Sequence, residues 1–352
     1  MSLSPVYGHV ALLSRLEGAI ASGRFPQAAL FTGPTGAGKQ RVALWVAQAL
    51  LCEKGPGGPC GECPQCRMTS GLAHPDVHWF VPVARPKAGD LDKQIAEVEE
   101  SLGAAMAERR TTGRWGPSDG MMSHSLAAVR LLQRRVALTP FQGRRKVVIL
   151  GDAERLVVQE GNPEAANALL KVLEEPPRDT TLILTAAEPQ ALLATIRSRT
   201  VAVRVGPVGD EAVRAFLERE EPDAARELKQ RILLAEGCIG KALQTAEGPG
   251  TAGADAAEAL LKAVRAGPAA WSATALARAP WSARGDFSAM LDALAVRLRG
   301  ELKTAASRGD ADTARQRASA VRRVETARAD AQGNLNPQLA VALLARELEA
   351  LV

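Results

Sequence analysis

One stretch decides the fold: Ala28–Leu51, with the sequence AALFTGPTGAGKQRVALWVAQALL. Its first five residues form an apolar, strand-like run, and the residues from Arg41 onward have the composition of a helix. Glycines between a strand and a helix let backbone N–H groups converge on an anion, which the helix N-terminus also attracts. The stretch therefore predicts a P-loop, with Lys39 against the β and γ phosphates of a nucleotide. The predicted loop residues are Gly33, Pro34, Thr35, Gly36, Ala37, Gly38, Lys39 and Gln40.

The positions that should hold Mg²⁺ depart from this motif. Gln40 follows Lys39 where the motif has Ser or Thr, whose hydroxyl binds the ion. A second ligand should be an Asp directly after a later strand, but the best candidate strand, Val147–Leu150, is followed by Gly151 and then Asp152. Because phosphoryl transfer depends on that ion, we expect ATP or ADP to bind with weak or absent Mg²⁺ support and turnover to be poor. Alternatively, Asp152 caps the following helix.

Strand-like and helical runs alternate from Pro26 to Val205, which predicts an α/β domain with a parallel sheet. After Pro207 the sequence is rich in Ala, Leu and Arg, with helical periodicity. Gly248, Pro249 and Gly250 punctuate this region and predict a small helical unit followed by a larger one. The candidate strands are Ala28–Thr32, Val77–Val81, Val147–Leu150, Leu182–Thr185 and Val201–Val205.

One segment, residues 84–123, interrupts the alternation. It contains apolar residues at helical spacing, followed by TTGRWGPSDG, which has the composition of a turn. The segment therefore predicts an insertion with an amphipathic helix that either caps its own domain or docks a partner. The apolar residues are Leu91, Ile95, Val98, Leu102 and Met106.

Four of the five cysteines form a cluster with the spacing Cys52-x7-Cys60-x2-Cys63-x2-Cys66. Cytoplasmic thiols stay reduced, and four closely spaced thiolates match a tetrahedral zinc ion. Because a complete Cys₄ set leaves no open coordination position, we expect this zinc module (residues 52–66) to be structural. Redox-active or incidental thiols are the alternative. Cys238 stands apart and is predicted to be buried.

Composition limits the classes of function. The 352 residues predict two or three domains, and the apolar fraction of 46% is that of a globular protein. No apolar run approaches the roughly 20 residues that span a bilayer, and the N-terminal sequence lacks a signal-peptide pattern, so we expect a cytoplasmic protein. The net charge of +5 fits proximity to nucleic acid, through phosphates rather than base stacking because aromatic residues are only 3%.

Taken together, these motifs resemble the bacterial DNA polymerase III clamp-loader family over most of the chain. The zinc cluster just after the P-loop helix, followed by HPDV at residues 74–77, is similar to the gamma and delta-prime types. Asn167–Pro177, NALLKVLEEPP, is similar to a family helix with an acidic, proline-terminated end. Asn334–Ala340, NLNPQLA, resembles the delta-prime C-terminal collar, with Asn336 as a helix N-cap.

Two further motifs carry implied site residues. Ile196–Thr200, IRSRT, resembles the family's Ser-Arg-Cys motif, with Thr200 in place of cysteine. In the family this arginine points to the γ-phosphate held by the neighbouring subunit, so the resemblance implies that Arg199 is an arginine finger acting in trans. A guanidinium suits that role because its fixed donors match transferring phosphate oxygens. Gly237–Ala242, GCIGKA, resembles the lid sensor motif, with Lys241 near bound nucleotide.

The resemblance implies a domain order and a function. The expected domains are an AAA+ P-loop domain over residues 1–207, a helical lid over 208–249 and an all-α collar that oligomerises over 250–352. The expected function is that of a delta-prime subunit, which joins delta and gamma/tau in a partial ring that opens the sliding clamp and places it on primed DNA. ATPase activity is expected in the partner subunits. The departures from the family are the insertion, Gln40, Thr200 and a cysteine spacing one residue short.

Two alternatives remain at this stage. An active gamma/tau-type ATPase is favoured by the intact Lys39 and disfavoured by Gln40, Gly151 and a sequence that ends at the collar. An unrelated P-loop NTPase with a zinc module would leave the motifs at Arg199 and Asn336 unexplained.

Overall fold

The computed structural model describes residues 3–55, 57–87, 89–113, 122–156, 164–222, 228–244, 251–277, 284–331 and 336–351. The chain divides into two compact units, Met1–Ala246 and Glu247–Val352. The first unit contains the sheet, and the described part of the second is helical. Among the residues that the structure describes, no helix combines the length and apolar character needed to cross a membrane.

The first unit contains seven described strands, of which five form one parallel sheet. The order in this sheet is β2-β5-β6-β1-β7, and Leu30 lies between Leu184 and Ala202 on the neighbouring strands. The parallel α/β prediction is confirmed, and each predicted strand is present to within two residues at either end. The strands are β1 (Ala28–Thr32), β2 (Val77–Phe80), β3 (Val83–Ala84), β4 (Met122–Ser123), β5 (Lys146–Leu150), β6 (Thr180–Ala186) and β7 (Val201–Arg204).

Helices cover the sheet, so its central strands are buried along their length. Every residue of β5 and β6 is buried, as expected for a parallel sheet covered on both faces. The helices of the first unit are α1 (Val10–Ala21), α2 (Lys39–Leu51), α3 (Pro64–Ser70), α4 (Leu91–Thr112), α5 (Leu126–Ala137), α6 (Glu164–Glu174), α7 (Ala194–Ser198), α8 (Asp210–Glu220), α9 (Leu228–Ala235) and α10 (Ile239–Gln244). The last three surround a small apolar cluster of their own that includes Val213, Leu217 and Ile232.

Parallel strands give the sheet two chemically different edges. The loops that follow β1 and β5 lie at the carboxyl edge, where ligands of open α/β sheets bind. The residues that precede β6 and β7 lie at the opposite, amino edge. The P-loop and Gly151 therefore lie at the carboxyl edge, whereas Arg199 lies at the amino edge.

The predicted insertion is bounded by a short antiparallel ribbon. Ala84 of β3 pairs with Met122 of β4 and Val83 pairs with Ser123. Between them α4 runs from Leu91 to Thr112 and buries Ile95, Val98 and Leu102 of its predicted apolar stripe. Leu91 is 40% exposed, and the predicted turn after Gly113 lies outside the described residues. Helix α4 packs on α5, so its apolar stripe covers its own domain.

The second unit has a separate helical core. Leu260, Met290, Leu294 and Leu344 are fully buried there. Asn336 precedes the last helix and accepts a hydrogen bond from the Gln338 N–H at 2.9 Å, as an N-cap does. The described helices are α11 (Thr251–Ala266), α12 (Pro268–Leu276), α13 (Arg284–Ser307), α14 (Ala311–Ala331) and α15 (Pro337–Leu348).

Candidate phosphate-binding and metal sites

The predicted P-loop has the backbone that its glycines permit. Gly36 and Gly38 have φ angles of 81° and 87°, in the left-handed region that glycine adopts most readily. A Cβ on Gly33 would lie 1.9 Å from the Val205 carbonyl oxygen, so the loop passes too close to β7 for any other residue. The loop then leads directly into α2 at Lys39.

Lys39 lies inside the loop. Its side chain donates hydrogen bonds to the carbonyl oxygens of Gly33 and Pro34, at 2.8 and 2.9 Å. The residue is only 7% exposed, and burial lowers the pKa of its ammonium group while Asp152 and other negative groups oppose the change. The glycine loop and the Lys39 ammonium group thus lie together, and such a cation suits phosphate oxygens.

The side chain of Gln40 occupies the region next to β5. Its amide Nε2 donates to Asp152 Oδ2 at 3.3 Å, and its Oε1 accepts from Trp79 Nε1 at 3.1 Å. Asp152 has a positive φ of 50°, and its N–H donates to Thr185 Oγ1 at 3.1 Å. The carboxylate of Asp152 contacts Gln40. Its backbone carbonyl oxygen accepts from the Arg155 N–H at 3.0 Å, so Asp152 caps the 3₁₀ turn Ala153–Leu156 through its backbone and not through its side chain.

These groups do not fit Mg²⁺. The ion takes about six oxygen ligands in a near-ideal octahedron and needs at least one carboxylate directed at it. Here the amide N–H of Gln40, which repels a cation, is directed at Asp152, and Gly151 offers no side chain. The structure therefore agrees with the expectation of weak or absent metal support.

His124 is a site residue that the sequence did not predict. It is fully buried, and its Nε2–H donates to the Gly151 carbonyl oxygen at 2.7 Å. Burial lowers the pKa of its imidazole to about 4, so the ring is neutral at physiological pH. His9 makes a similar contact, with its Nε2 2.9 Å from the Ala37 carbonyl oxygen. A lone histidine outside a motif gives no sequence signal for either contact.

The predicted lid contacts the P-loop through backbone atoms. The Gly240 N–H donates to the Gly36 carbonyl oxygen at 2.9 Å, and a Cβ on Gly36 would lie 2.9 Å from the Lys241 nitrogen. The side chain of Lys241 instead forms an ion pair with Glu236 at 3.2 Å. The backbone of Lys241 is thus beside the P-loop while its ammonium group is bound elsewhere.

Arg199 lies apart from this cluster. It follows α7 and precedes β7, which runs parallel to β1, so the length of a strand separates it from its own P-loop. Its guanidinium pairs with Glu174 at 2.8 Å and also donates to the Thr195 carbonyl oxygen. The Arg199 side chain is 36% exposed. It is therefore at the surface, at the edge opposite to the nucleotide cradle.

The four clustered cysteines converge at the end of α2. Their sulfur atoms all lie within 4.8 Å of one another, and Cys60 Sγ is 3.9 Å from Cys66 Sγ. A tetrahedral ion with Zn–S bonds of about 2.3 Å requires sulfur separations of roughly 3.8 Å, so these residues fit zinc. Gln48 of α2 donates to the Cys66 carbonyl oxygen at 2.9 Å and joins the module to the P-loop helix.

The module also favours thiolates. Backbone N–H groups, the first of them from Cys63, lower the pKa of Cys60 to about 6. Burial raises the pKa of Cys66, a penalty that a bound cation removes. Cys238 is buried, as predicted, and lies outside the cluster. His74 contacts Gln65 and the Asp76 N–H, so it is also outside the ligand set.

Comparisons with known proteins agree with these motifs. The family model described as DNA polymerase III, delta subunit, matches residues 8–208. DNA polymerase III subunit delta' of Pseudomonas aeruginosa is 32% identical over 228 residues, which are 64% of this chain and 56% of that protein. Subunit tau of Escherichia coli is 28% identical over 271 residues, 74% of this chain and 36% of that protein. A gamma subunit-related protein of Thermotoga maritima aligns with a TM-score of 0.43 at 18% identity, over 96% of this chain and 99% of that one.

The sequence matches cover only part of each protein. The aligned region spans about half the length of the delta' relatives, at 56%, 53% and 58%. The family model likewise ends at residue 208, where the sheet ends and the helices α8–α10 begin.

Proposed function

Since the chain belongs to the family described as DNA polymerase III, delta subunit, we propose that it is a delta-prime-type subunit of the clamp loader of that polymerase. In this role it joins delta and gamma/tau subunits in a ring that opens the sliding clamp and places it on primed DNA. It contributes an arginine to the ATP site of a neighbour and hydrolyses little or no ATP itself.

One observation carries the proposal: an intact nucleotide cradle beside two altered metal positions. Lys39 and the loop glycines have the geometry that phosphates require, whereas Gln40 and Gly151 stand where the metal-binding groups belong. A chain with this combination retains the shape of an AAA+ ATPase without its cation. Such a chain contributes to the complex through the surfaces that contact neighbouring subunits.

The position of Arg199 supports the trans role. It lies at the amino edge of the sheet, so it cannot act on the P-loop of its own chain. Its partner is Glu174, in an exposed ion pair of the kind that contributes only about 0–1 kcal/mol. Such a pair is easily exchanged for a more highly charged phosphate.

The test is Arg199→Ala in a loader reconstituted with its delta and gamma/tau partners. We expect assembly to persist and ATPase and clamp loading to fall, by as much as ~10³-fold for the loss of an arginine finger. Arg178→Ala is the matched control, since Arg178 is also exposed and precedes a strand at the same edge. Full ATPase activity of the Arg199→Ala complex would disprove the trans role.

The remaining parts follow from this proposal. The Cys₄ module holds a structural zinc, the helical segment 208–249 is the lid, and the helices of 250–352 form the oligomerising collar. Contact with DNA is through phosphates, in keeping with the net charge of +5. We expect a subunit with this role to act in the cytoplasm, where thiols stay reduced.

An active gamma/tau-type ATPase is the second candidate. The position of Lys39 and the match to a tau subunit over 74% of this chain favour it. Magnesium-dependent turnover by the isolated chain would select it over the first proposal.

A further inference from the structure

The two altered metal positions touch each other. A Cβ built on Gly151 would lie 2.8 Å from Cδ, Oε1 and Nε2 of Gln40, so a side chain at position 151 requires the Gln40 amide to move. The amide of Gln40 therefore occupies the space into which an Asp at position 151 would extend. Gln40 and Gly151 are separated by more than a hundred residues in the sequence. The two departures from the motif are nevertheless linked, because the Gln40 side chain lies where a side chain at position 151 would extend.

The amide of Gln40 is also held in place. Trp79 Nε1–H must meet an acceptor and the Asp152 carboxylate must meet a donor, so the two neighbours fix which way the amide faces. Trp79 is 5% exposed. An amide with both ends engaged is an ordered part of the site, since releasing it would break both hydrogen bonds at once.

A cation from the insertion lies over the Trp79 ring. The guanidinium carbon of Arg109, on α4, is 5.2 Å from the centre of the Trp79 ring, within the range of a cation–π contact. Arg109 is only 9% exposed, and its Nη1 is buried with no hydrogen-bond partner among the described residues. A buried guanidinium is costly unless an anion accompanies it.

The negative charges that act on Arg109 are those of Asp152 and, to a smaller extent, Glu108. Burial lowers the pKa of the Arg109 guanidinium to about 10, and the negative charge of Asp152 opposes this, so the group stays protonated near neutral pH. In an active site of this fold, the corresponding acid acts beside a metal ion. Here the positive charge near it comes from the polypeptide, and the buried Nη1–H of Arg109 has no acceptor among the described residues.

We propose that this chain replaces Mg²⁺ with its own side chains: Gln40 fills the place of the metal ligands and Arg109 supplies the positive charge. The ligand is a nucleoside di- or triphosphate without a divalent cation. The inference rests on the proposed nucleotide cradle, and it gives the 84–123 insertion a specific role. Mg²⁺, which withdraws negative charge from the nucleotide, competes with Arg109 and weakens binding.

The first test measures ATP binding to the full chain by calorimetry, in EDTA and in Mg²⁺. We expect ATP to bind in EDTA at least as tightly as in Mg²⁺, whereas a P-loop that depends on the metal would bind more weakly in EDTA. Arg109→Ala should weaken ATP binding in EDTA about 10-fold, the scale of one charged contact at 1.4 kcal/mol per decade. Arg109→Lys, which keeps the charge, should recover part of that loss.

Arg110→Ala is the matched control, because Arg110 is the next residue of α4, is exposed and donates to the Leu72 carbonyl oxygen at 3.2 Å. Three outcomes would overturn the proposal: wild-type binding that requires Mg²⁺, no ATP binding in either condition, or an Arg109→Ala variant that binds ATP like the wild type. The ATPase of the Arg199→Ala complex tests the clamp-loader role separately, so the two can fail independently.

The second test is a cycle of Gln40→Thr, Gly151→Asp and the double variant. Gly151→Asp alone should lower Tm, because its side chain meets the Gln40 amide, and the double variant should recover stability relative to it. In the double variant Mg²⁺ should tighten ATP binding about 10-fold, since a hydroxyl and a carboxylate then face the same space. If Gly151→Asp alone kept its Tm and bound ATP in a Mg²⁺-dependent way, Gln40 would not occupy the site.

Discussion

The zinc module and the end of β5 are two places where a metal ion would be expected in this fold, and they differ in every respect. At the module, four sulfur atoms lie within 4.8 Å of one another and fit a closed tetrahedral site. At the end of β5, an amide and a glycine stand where oxygen ligands belong, and a buried arginine lies beside them. The chain retains ligands for a structural ion and lacks them for a catalytic one.

The difference separates two uses of the same fold. A Cys₄ zinc ion stabilises a loop that has little apolar core of its own, so its ligands are needed whether or not ATP is hydrolysed. Magnesium at a P-loop is needed for phosphoryl transfer and for the neutralisation of phosphate charge. Where phosphoryl transfer is not required, a cationic side chain can neutralise the phosphate charge in place of magnesium.

Loss of one zinc ligand should have the largest effect. We expect Cys66→Ser to abolish binding of one zinc per chain and to lower Tm sharply, because binding a structural zinc contributes on the order of 10 kcal/mol. Elemental analysis and thermal unfolding measure this. Cys238→Ser, at a cysteine that is equally buried but outside the cluster, should keep its zinc. If freshly purified wild-type protein contained no zinc, the cysteine cluster would not be a structural zinc site.

The second-largest effect should be the low rate of ATP hydrolysis by the isolated chain. We expect magnesium-dependent turnover to be at least about 10²-fold slower than that of a gamma/tau partner, the scale of one lost electrostatic contact to a transition state. We expect the residual rate to come from contaminating ATPases. Lys39→Ala should therefore leave it unchanged. Rapid turnover that Lys39→Ala abolishes would show that the end of β5 holds a working metal site.

The response to acid should be the smallest effect. His124 has a pKa of about 4 in the folded chain and 6.5 ordinarily, so the unfolded chain takes up the proton first as pH falls. The free energy of unfolding should therefore decrease between pH 6.5 and pH 4, with a contribution from His124 of up to roughly 3 kcal/mol. His124→Gln, which keeps a donor for Gly151 but does not titrate, should flatten this pH dependence.

Chemical denaturation across that pH range measures the prediction. Part of the slope should remain in the variant, because burial also lowers the pKa of His78 to about 4. A variant whose stability depends on pH as steeply as that of the wild type would mean that His124 is protonated in the folded chain.

The features that the sequence predicted are local in the chain. The strand, glycine loop and helix at Ala28–Leu51 are adjacent, and the four cysteines lie within fifteen residues, so spacing alone brings their groups together. The five strands of the sheet follow from their apolar runs. The altered residues Gln40 and Gly151 were also found from sequence, because the motif assigns a role to each position.

The features that the sequence did not predict depend on tertiary packing. Nothing in the sequence places Arg109 over Trp79, since that contact requires α4 to extend past Met106 and to pack on its own domain. The contact between Gln40 and Gly151 likewise depends on two strands and a helix meeting at one edge. His124 offered no motif at all, and its role follows only from the carbonyl that it contacts.

Helix α2 connects the P-loop directly to the zinc module. It begins at Lys39 in the phosphate cradle and ends at Leu51, next to the first zinc-module cysteine, over 13 residues or about 20 Å. A fluorophore attached at exposed Glu62 would therefore lie at one end of this helix, with the P-loop at the other end. Such a probe could signal loading of the cradle from a position remote from any reacting group.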